Sequence, residues 1–203
     1  MVAQQIRLHD KTFELYLPEH KIVTAISSIA DDLRRDMEGK NPLFVGILNG
    51  AYLFTAELMS QLPPTFELTF AAYSSYLGDK TSGTVKELLP INKEVKDRTV
   101  VLLEDVIDTG LTMQYIRQRL REKGAQDVRI ATMLLKPKAL QCELKPDYVG
   151  LEIENDFIVG FGLDYNGLGR STRNIYRVVD SFQFSVFSEK ERLDTTKPLD
   201  FES

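Results

Sequence analysis

The 203-residue chain contains a single cysteine, Cys142, and this scarcity excludes two kinds of protein. One cysteine cannot form a disulfide within the chain, nor can it build a metal cluster held by cysteines. Long apolar runs are also missing, because no run is long enough to span a bilayer. Residues 1–10 lack the apolar core of a signal peptide. The sequence therefore predicts a cytoplasmic protein that has no membrane partner.

Positive charge is outnumbered by negative charge. The chain has 25 lysines and arginines against 30 aspartates and glutamates, which gives a net charge of -5. This net negative charge gives no overall basic surface that would bind nucleic acid, so we expect no nucleic-acid partner. Both histidines, His9 and His20, lie far in sequence from any nucleophile signature, which argues against a catalytic triad. The length fits one domain, residues 1–203.

Apolar segments with two different periodicities alternate along the chain. Strands are predicted at residues 13–17, 43–48, 66–73, 99–103, 128–135 and 148–153, and helices at 18–37, 51–61 and 112–123. This alternation predicts an α/β fold with a mainly parallel twisted sheet flanked by helices on both faces. Ligands of such sheets bind beyond the carboxyl ends of the strands, where Asn49, Glu104 and Lys136 all fall.

The most informative segment, residues 100–112, is an apolar strand followed by two carboxylates and a small turn that opens a helix. The free backbone N–H groups of a helix start bind anions, and the hydroxyls of Thr109 and Thr112 add donors. Gly110 lets the backbone come close to a ligand. The segment lacks the Gly-Lys-Ser/Thr ending of a P-loop. It therefore predicts a phosphate site of another kind.

The two carboxylates, Glu104 and Asp105, precede this turn. They would repel a bare phosphate, so a ligand that carries only phosphate does not explain them. Carboxylate oxygens accept hydrogen bonds from sugar hydroxyls, and they also hold magnesium. The sequence predicts one or both of these roles, and hence a ligand that combines a phosphate with a polyol.

Residues 104–112, with the sequence EDVIDTGLT, resemble the phosphoribosyl-pyrophosphate (PRPP) motif of type I phosphoribosyltransferases. Further matches between residues 43 and 179 are similar to the hypoxanthine-guanine branch of that family. The resemblance implies a core at about 18–155 and a small hood formed by about 1–17 and 156–180. The composition of residues 189–203 predicts a polar tail. The resemblance assigns PRPP binding to a run of residues in the motif: Glu104, Asp105, Asp108, Thr109, Gly110, Leu111 and Thr112.

The resemblance also implies a pyrophosphate site and a metal site. Pyrophosphate would be bound by Asn49, Gly50 and Arg170, although the commonest loop of the family has a lysine where this chain has Asn49. An arginine in a glycine-rich turn suits this role, because its guanidinium group binds oxyanions. Magnesium is the implied cofactor, and its implied ligands are Glu104, Asp105 and Asp164.

The implied purine site contains Lys136, Phe157 and Ile158. Phe157 offers a flat apolar surface for stacking, and Lys136 offers a donor to a 6-oxo group, whereas the 6-amino group of adenine would face the wrong partner. Ser75 and Tyr76 open a polar stretch, residues 76–92, that resembles the mobile loop of the family.

The implied activity is purine salvage, in which a purine nitrogen displaces pyrophosphate from PRPP and gives a nucleoside monophosphate. Asp108 is the candidate general base, at purine N7. The expected substrates are PRPP and a 6-oxopurine, and a homodimer or homotetramer is expected. Two alternatives stay open at this point: a xanthine-preferring enzyme of the same family, and a non-catalytic regulator that senses PRPP or nucleotides.

Overall fold

A computed structural model of the chain describes residues 3–76 and 84–179. In chain order its elements are β1 (Gln5–Leu8), β2 (Lys11–Leu17), α1 (Glu19–Asp36), β3 (Leu43–Leu48), α2 (Tyr52–Met59), β4 (Glu67–Tyr76), β5 (Thr84–Leu89), β6 (Thr99–Ile107), α3 (Leu111–Glu122), β7 (Asp127–Leu135), β8 (Tyr148–Glu152), β9 (Ile158–Val159) and β10 (Ile175–Val178). A short 3-10 helix, Pro137–Ala139, follows β7. Among the helices described, none is long and apolar enough to cross a membrane.

The larger sheet has the strand order β5-β4-β3-β6-β7-β8. Its strands pair in parallel except for β5, which runs antiparallel to β4. Alternate side chains of β6 enter different apolar clusters. Val100 and Leu102 pack in the cluster that contains α3, and Val101 and Leu103 pack in the one that contains α1 and α2. Helices therefore cover both faces, which explains the continuous apolar run and confirms the predicted α/β fold.

Helix α1 forms the predicted amphipathic element. Its buried residues recur at three- and four-residue spacings: Ile22, Ala25, Ile26, Ile29, Ala30 and Leu33. The helix begins after Pro18, which provides no side-chain cap. Instead the backbone N–H of Glu19 donates to Oδ1 of Asn174, at 2.9 Å, from a distant part of the chain. Gly39 follows the helix with a φ of +70°, as expected of a residue that ends one.

The smaller sheet is the hood, and it has the strand order β1-β2-β10-β9, with antiparallel pairing throughout. Its strands come from the two ends of the described chain, as the resemblance implied. Phe13, Val159 and Tyr176 form an apolar cluster of its own on this sheet. The exact limits of core and hood remain predictions, and the polar tail at 189–203 lies outside the described residues.

Two sequence predictions about the elements were wrong. Strand β6 does not stop at Leu103, because its backbone continues to pair with β7 up to Ile107 and Leu135. The polar stretch 76–92 is not all loop, because β5 pairs with β4 in a hairpin. The sequence of β5, TVKELL, lacks the apolar alternation that could have predicted this strand. Residues 77–83, which belong to the predicted mobile loop, lie outside the described part of the chain.

Candidate active site

The predicted phosphate turn lies at a cavity of about 380 Å³ at the carboxyl edge of the larger sheet. Its walls come from the end of β3 and the loop after it, from β4, β5 and β6, and from the start of α3. Residues of the predicted sites that line it are Gly50, Glu104, Asp108, Thr109, Gly110, Leu111 and Thr112. The fold thus brings Gly50 of the predicted pyrophosphate loop, which comprises Asn49 and Gly50 after β3, together with the PRPP motif. Lys136, Phe157 and Arg170 lie outside this cavity wall.

The turn before α3 has the geometry of an anion site. Gly110 is the N-cap residue and has a φ of +78°, which favours glycine. In the described part of the chain, the N–H groups of Thr112 and Met113 have no backbone acceptor. The N–H of Leu111 reaches the hydroxyl of Thr109 only at 3.5 Å. These donors at the positive end of the helix dipole are available to a phosphate.

The space beside Gly110 is filled by neighbours. A Cβ at this position would lie 3.0 Å from Sγ of Cys142 and 3.1 Å from Cδ2 of Leu140. The thiol of Cys142 also lies 3.6 Å from the carbonyl oxygen of Thr109. Burial raises the pKa of this thiol, so it remains a neutral packing group. The lone cysteine therefore supports the turn from behind.

Glu104 and Asp105 sit near the end of β6, where Asp105 is buried and Glu104 is partly buried. The N–H of Val106 donates to Oδ1 of Asp105 at 2.7 Å. Burial, and then the neighbouring Asp105 carboxyl group, raise the pKa of Glu104 well above its ordinary value. Burial also raises the pKa of Asp105, against the opposing effects of its hydrogen bonds and of the Arg170 charge. Donors such as sugar hydroxyls, or a cation, would stabilise the ionised pair.

The loop after β3 packs directly on this acidic pair. Gly50 lies so close to Asp105 that a Cβ at position 50 would overlap the carboxylate oxygen Oδ2. Asn49 is exposed, and the peptide bond between Leu48 and Asn49 is cis. Helix α2 begins right after this loop. The hydroxyl of Tyr52, at its start, donates to the carbonyl oxygen of Arg170 at 3.1 Å.

Arg170 lies in the hood segment that faces this loop. Its Nη1 donates to the carbonyl oxygen of Gly162 at 2.6 Å, and its Nη2 lies 2.6 Å from Oδ1 of Asp164. The other oxygen of Asp164 accepts a hydrogen bond from the N–H of Gly167. A Cβ on Gly162 would overlap the carbonyl oxygen of Gly50. The hood therefore touches the pyrophosphate loop through its backbone, and Arg170 is held beside it.

Lys136 and Asp108, which directly follow the neighbouring strands β7 and β6, form an ion pair. Nζ of Lys136 lies 3.2 Å from Oδ2 of Asp108. The lysine side chain is only 9% exposed, whereas the aspartate side chain is 50% exposed. The backbone N–H of Lys136 donates to the carbonyl oxygen of Ile107, which extends the pairing of β6 and β7 to this point. A buried donor and an accessible acceptor thus stand side by side.

Phe157 precedes β9 and is 45% exposed, which is high for a large aromatic side chain. Its ring packs against those of Tyr165 and Phe13, with centroid distances of 5.6 and 6.1 Å. This leaves part of the ring open for stacking. Ile158, the other predicted purine contact of the hood, has its side chain buried in the main apolar core.

Several contributors to the site were not predicted. Tyr73 and Val85 line the cavity, and the Tyr73 hydroxyl donates to Oε1 of Glu87 at 3.1 Å. Burial, and then Glu87, raise the pKa of Tyr73. An aromatic residue within a strand resembles an ordinary core residue, so the sequence offered no signal. For Gly162 there was a signal, since the Gly-Phe-Gly sequence at 160–162 indicates a backbone that needs positive φ.

The acidic residues fit a magnesium ion that is shared with a ligand. Among the described residues, no three acidic, histidine or cysteine side chains are grouped so that they could hold a metal on their own. Magnesium is usually bound by one or two carboxylates together with waters and substrate phosphates, and Glu104 and Asp105 offer such oxygen ligands. Asp164 is engaged by Arg170 and by Gly167, so it is not part of one cluster with that pair.

Comparisons with known proteins agree with this geometry. The family model described as "Phosphoribosyl transferase domain" matches residues 14–166. A hypoxanthine-guanine phosphoribosyltransferase of Lactococcus lactis subsp. lactis is 44% identical over 158 residues, which cover 77% of this chain and 86% of the relative. The corresponding protein of Streptococcus mutans is 42% identical over 148 residues, covering 72% and 82% of the two chains.

Solved structures give the same result. The hypoxanthine phosphoribosyltransferase of Staphylococcus aureus superposes with a TM-score of 0.79 at 29% identity, and the match covers 83% of this chain and 92% of that one. The hypoxanthine phosphoribosyl transferase of Trypanosoma cruzi gives 0.78 at 27% identity, with 92% and 100% coverage. This chain therefore belongs to the hypoxanthine-guanine branch of the type I phosphoribosyltransferase family.

Proposed function

We propose that this protein transfers the 5-phosphoribosyl group of PRPP to hypoxanthine or guanine, forming IMP or GMP and releasing pyrophosphate. The names of its relatives support this activity. The observation that carries the proposal is the pairing of Lys136 with Asp108 at 3.2 Å, beside the phosphate turn. This pair combines a donor for the 6-oxo group with an acceptor for the proton on purine N7.

The pair also explains the choice of base. The ammonium group of Lys136 has three donors and no acceptor, so it suits a 6-oxo group. A 6-amino group would bring donor against donor at Lys136, which costs binding free energy. Phe157 stacks on the flat face of the purine, and the backbone at Ile158 borders it. The proposal therefore includes both 6-oxopurines, hypoxanthine and guanine, which the names of the relatives combine.

The phosphoribosyl group occupies the cavity. Its 5′-phosphate is bound by the N–H groups at the start of α3, with the hydroxyls of Thr109 and Thr112 as further donors. Glu104 and Asp105 accept hydrogen bonds from the ribose hydroxyls. This partnership satisfies two buried carboxylates that are otherwise costly to ionise.

The reaction breaks the bond between C1′ and the pyrophosphate oxygen as a purine nitrogen bonds to C1′. C1′ passes through an oxocarbenium-like state, so alignment of the base and exclusion of water lower the barrier. Asp108 accepts the N7 proton of the base. Arg170 and the backbone at Asn49 and Gly50 bind the departing pyrophosphate.

Magnesium is part of the proposal. Glu104 and Asp105 would hold it, and Asp164 would contribute at a second position on the pyrophosphate side. When bound, the ion supplies positive charge that stabilises the leaving group.

The cytoplasmic location and the homodimer or homotetramer remain predictions. Light scattering coupled to gel filtration measures the latter directly.

A panel of bases tests the function. The protein is mixed with PRPP and magnesium and, separately, with hypoxanthine, guanine, xanthine, adenine or uracil, and the nucleotide formed is measured. We expect turnover with the first two. Turnover with xanthine alone would replace the proposed specificity with the xanthine-preferring alternative. Binding of PRPP or nucleotide without turnover of any base would favour the regulator.

A further inference from the structure

Arg173 links three separate parts of the molecule. Its Nε lies 2.8 Å from Oε1 of Glu19, at the start of α1, and its Nη2 lies 2.8 Å from Oε2 of Glu57, in α2. Its guanidinium carbon also lies 5.1 Å from the centre of the Phe161 ring, which is fully buried. The two ion pairs each join residues more than 100 positions apart in sequence. Arg173 itself lies away from the cavity wall.

Its neighbours in sequence tie the same parts together. The side chain of Asn174 accepts the hydrogen bond from the N–H of Glu19 that caps α1. The carbonyl oxygen of Arg170 accepts the hydrogen bond from Tyr52, at the start of α2. The hydroxyl of Thr172 donates to carbonyl oxygens within the segment, which stiffens it. The segment 170–174 is therefore fastened to both helices on this side of the sheet.

Two partners of Arg173, Glu57 and Phe161, each lead to one half of the pyrophosphate site. Glu57 belongs to the short helix α2, which begins directly after the pyrophosphate loop with Gly50. Phe161 precedes Gly162, whose carbonyl oxygen holds the Arg170 guanidinium group at 2.6 Å. The loop follows β3 of the larger sheet, whereas Arg170 lies between β9 and β10 of the smaller sheet. The relative position of the two halves thus depends on contacts such as those that Arg173 makes.

We propose that Arg173 is a positioning residue for pyrophosphate, which it does not touch. It fixes the Arg170 segment against helix α2, so that the guanidinium group and the loop after β3 bind the same pyrophosphate. This inference rests on the proposed function, and specifically on pyrophosphate as the group bound by Arg170. Small displacements of binding groups reduce affinity steeply. Loss of the two half-exposed ion pairs of Arg173 is therefore enough to weaken pyrophosphate binding.

Arg177 provides a matched control. It also pairs with two carboxylates, Glu14 and Asp156, and it also lies over an aromatic ring, that of Tyr16. Its exposure is 43%, against 40% for Arg173. Its partners belong to the hood and to the segment just before it, so none of them leads to the pyrophosphate loop. Replacement of either arginine by alanine removes two ion pairs and one contact between a guanidinium group and an aromatic ring.

The test compares Arg173→Ala with Arg177→Ala. We expect Arg173→Ala to raise KM for PRPP, and the Kd for magnesium pyrophosphate measured by calorimetry, by roughly three- to tenfold. Arg177→Ala should leave both values within about twofold. KM for hypoxanthine and the melting temperature should change equally little in both variants. Glu57→Gln should also raise the Kd for magnesium pyrophosphate, by a smaller factor. Arg173→Lys should retain part of the affinity that Arg173→Ala loses.

The inference is wrong if Arg173→Ala binds magnesium pyrophosphate as tightly as Arg177→Ala does. It is also wrong if the two variants lose stability and hypoxanthine affinity together with pyrophosphate affinity, since that pattern describes a general structural role. The calorimetric measurement does not depend on turnover. Failure of the unsubstituted protein to form any nucleotide would count against the proposed function, and pyrophosphate binding by the variants would still decide the role of Arg173.

Discussion

Gly50 packs against the Asp105 carboxylate with no space for a side chain between them. A Cβ at position 50 would overlap Oδ2 of Asp105, so the loop can approach the acidic pair only with glycine here. We expect Gly50→Ala to displace the carboxylate and raise KM for PRPP by about tenfold or more, since it disturbs the ribose and pyrophosphate sites together. Steady-state kinetics with varied PRPP measure this effect.

A double-mutant cycle gives the control. In an Asp105→Ala background the carboxylate is gone, so the added methyl group of Gly50→Ala has space. We expect the two substitutions to be strongly non-additive, with Gly50→Ala adding less than about twofold in that background. Additive effects would mean that the overlap with Asp105 is not what makes glycine necessary.

Asp108 is expected to act in the chemical step. Asp108→Asn keeps the shape of the side chain but cannot accept the N7 proton, so kcat should fall by about 10²–10⁴. PRPP should still bind. Because Lys136 is buried and would lose its charged partner, we also expect a lower melting temperature. A kcat within about threefold of the original would remove Asp108 from the mechanism.

Glu104 should make the stability of the ligand-free protein depend on pH. Its pKa is higher in the folded protein than in the unfolded chain, so the folded state holds more protons between the two values. The free energy of unfolding therefore falls as the pH rises above the ordinary value of 4.5 and on through the folded pKa. Glu104→Gln should remove this loss and raise Tm near neutral pH by about 2–4 °C.

Thermal unfolding in the presence of a chelator, from acid to neutral pH, measures this effect. The same substitution should weaken PRPP binding, because an amide accepts fewer hydrogen bonds than a carboxylate. An unchanged slope of Tm against pH would show that Glu104 does not carry a raised pKa. Stability gained together with affinity lost would identify the buried carboxylate as a costly functional group.

Magnesium should bind mainly together with a ligand. Without PRPP or pyrophosphate, calorimetry should detect only weak binding, because no three-residue acidic cluster occurs in the described part of the chain. Addition of pyrophosphate should reveal binding that depends on both Glu104 and Asp105. A chelator should abolish turnover, and added magnesium should restore it. Tight binding of magnesium alone would contradict the shared site.

Phe157 should affect purine binding more than stability. Because 45% of the residue is exposed, Phe157→Ala should lower Tm little, whereas the loss of a stacking surface should raise KM for hypoxanthine by about five- to thirtyfold. Leu168→Ala removes a hood residue of 46% exposure and is the matched control. Equal changes in KM for the two variants would argue against stacking on Phe157.

Much of the site could be predicted because its chemistry is local in sequence. The turn at 108–112 needs its hydroxyls, its glycine and its helix start within five consecutive positions, so one short segment indicates an anion site. The pairing of Lys136 with Asp108 was not predicted, since the two residues are 28 positions apart and only the parallel register of β6 and β7 brings them together. Strand β5 was missed because the polar and apolar residues of its sequence, TVKELL, do not alternate.

The sequence alone determined the α/β fold and the covering of both sheet faces, and it predicted the phosphate turn, because hydrophobic periodicity and backbone donors act over a few neighbouring residues. Tertiary structure decided the contact of Gly50 with Asp105, the fastening of Arg170 and the link through Arg173. These depend on how distant parts of the chain pair and pack together. Burial and distance arise only in that packing, and they set both the raised pKa of Glu104 and the geometry of the site.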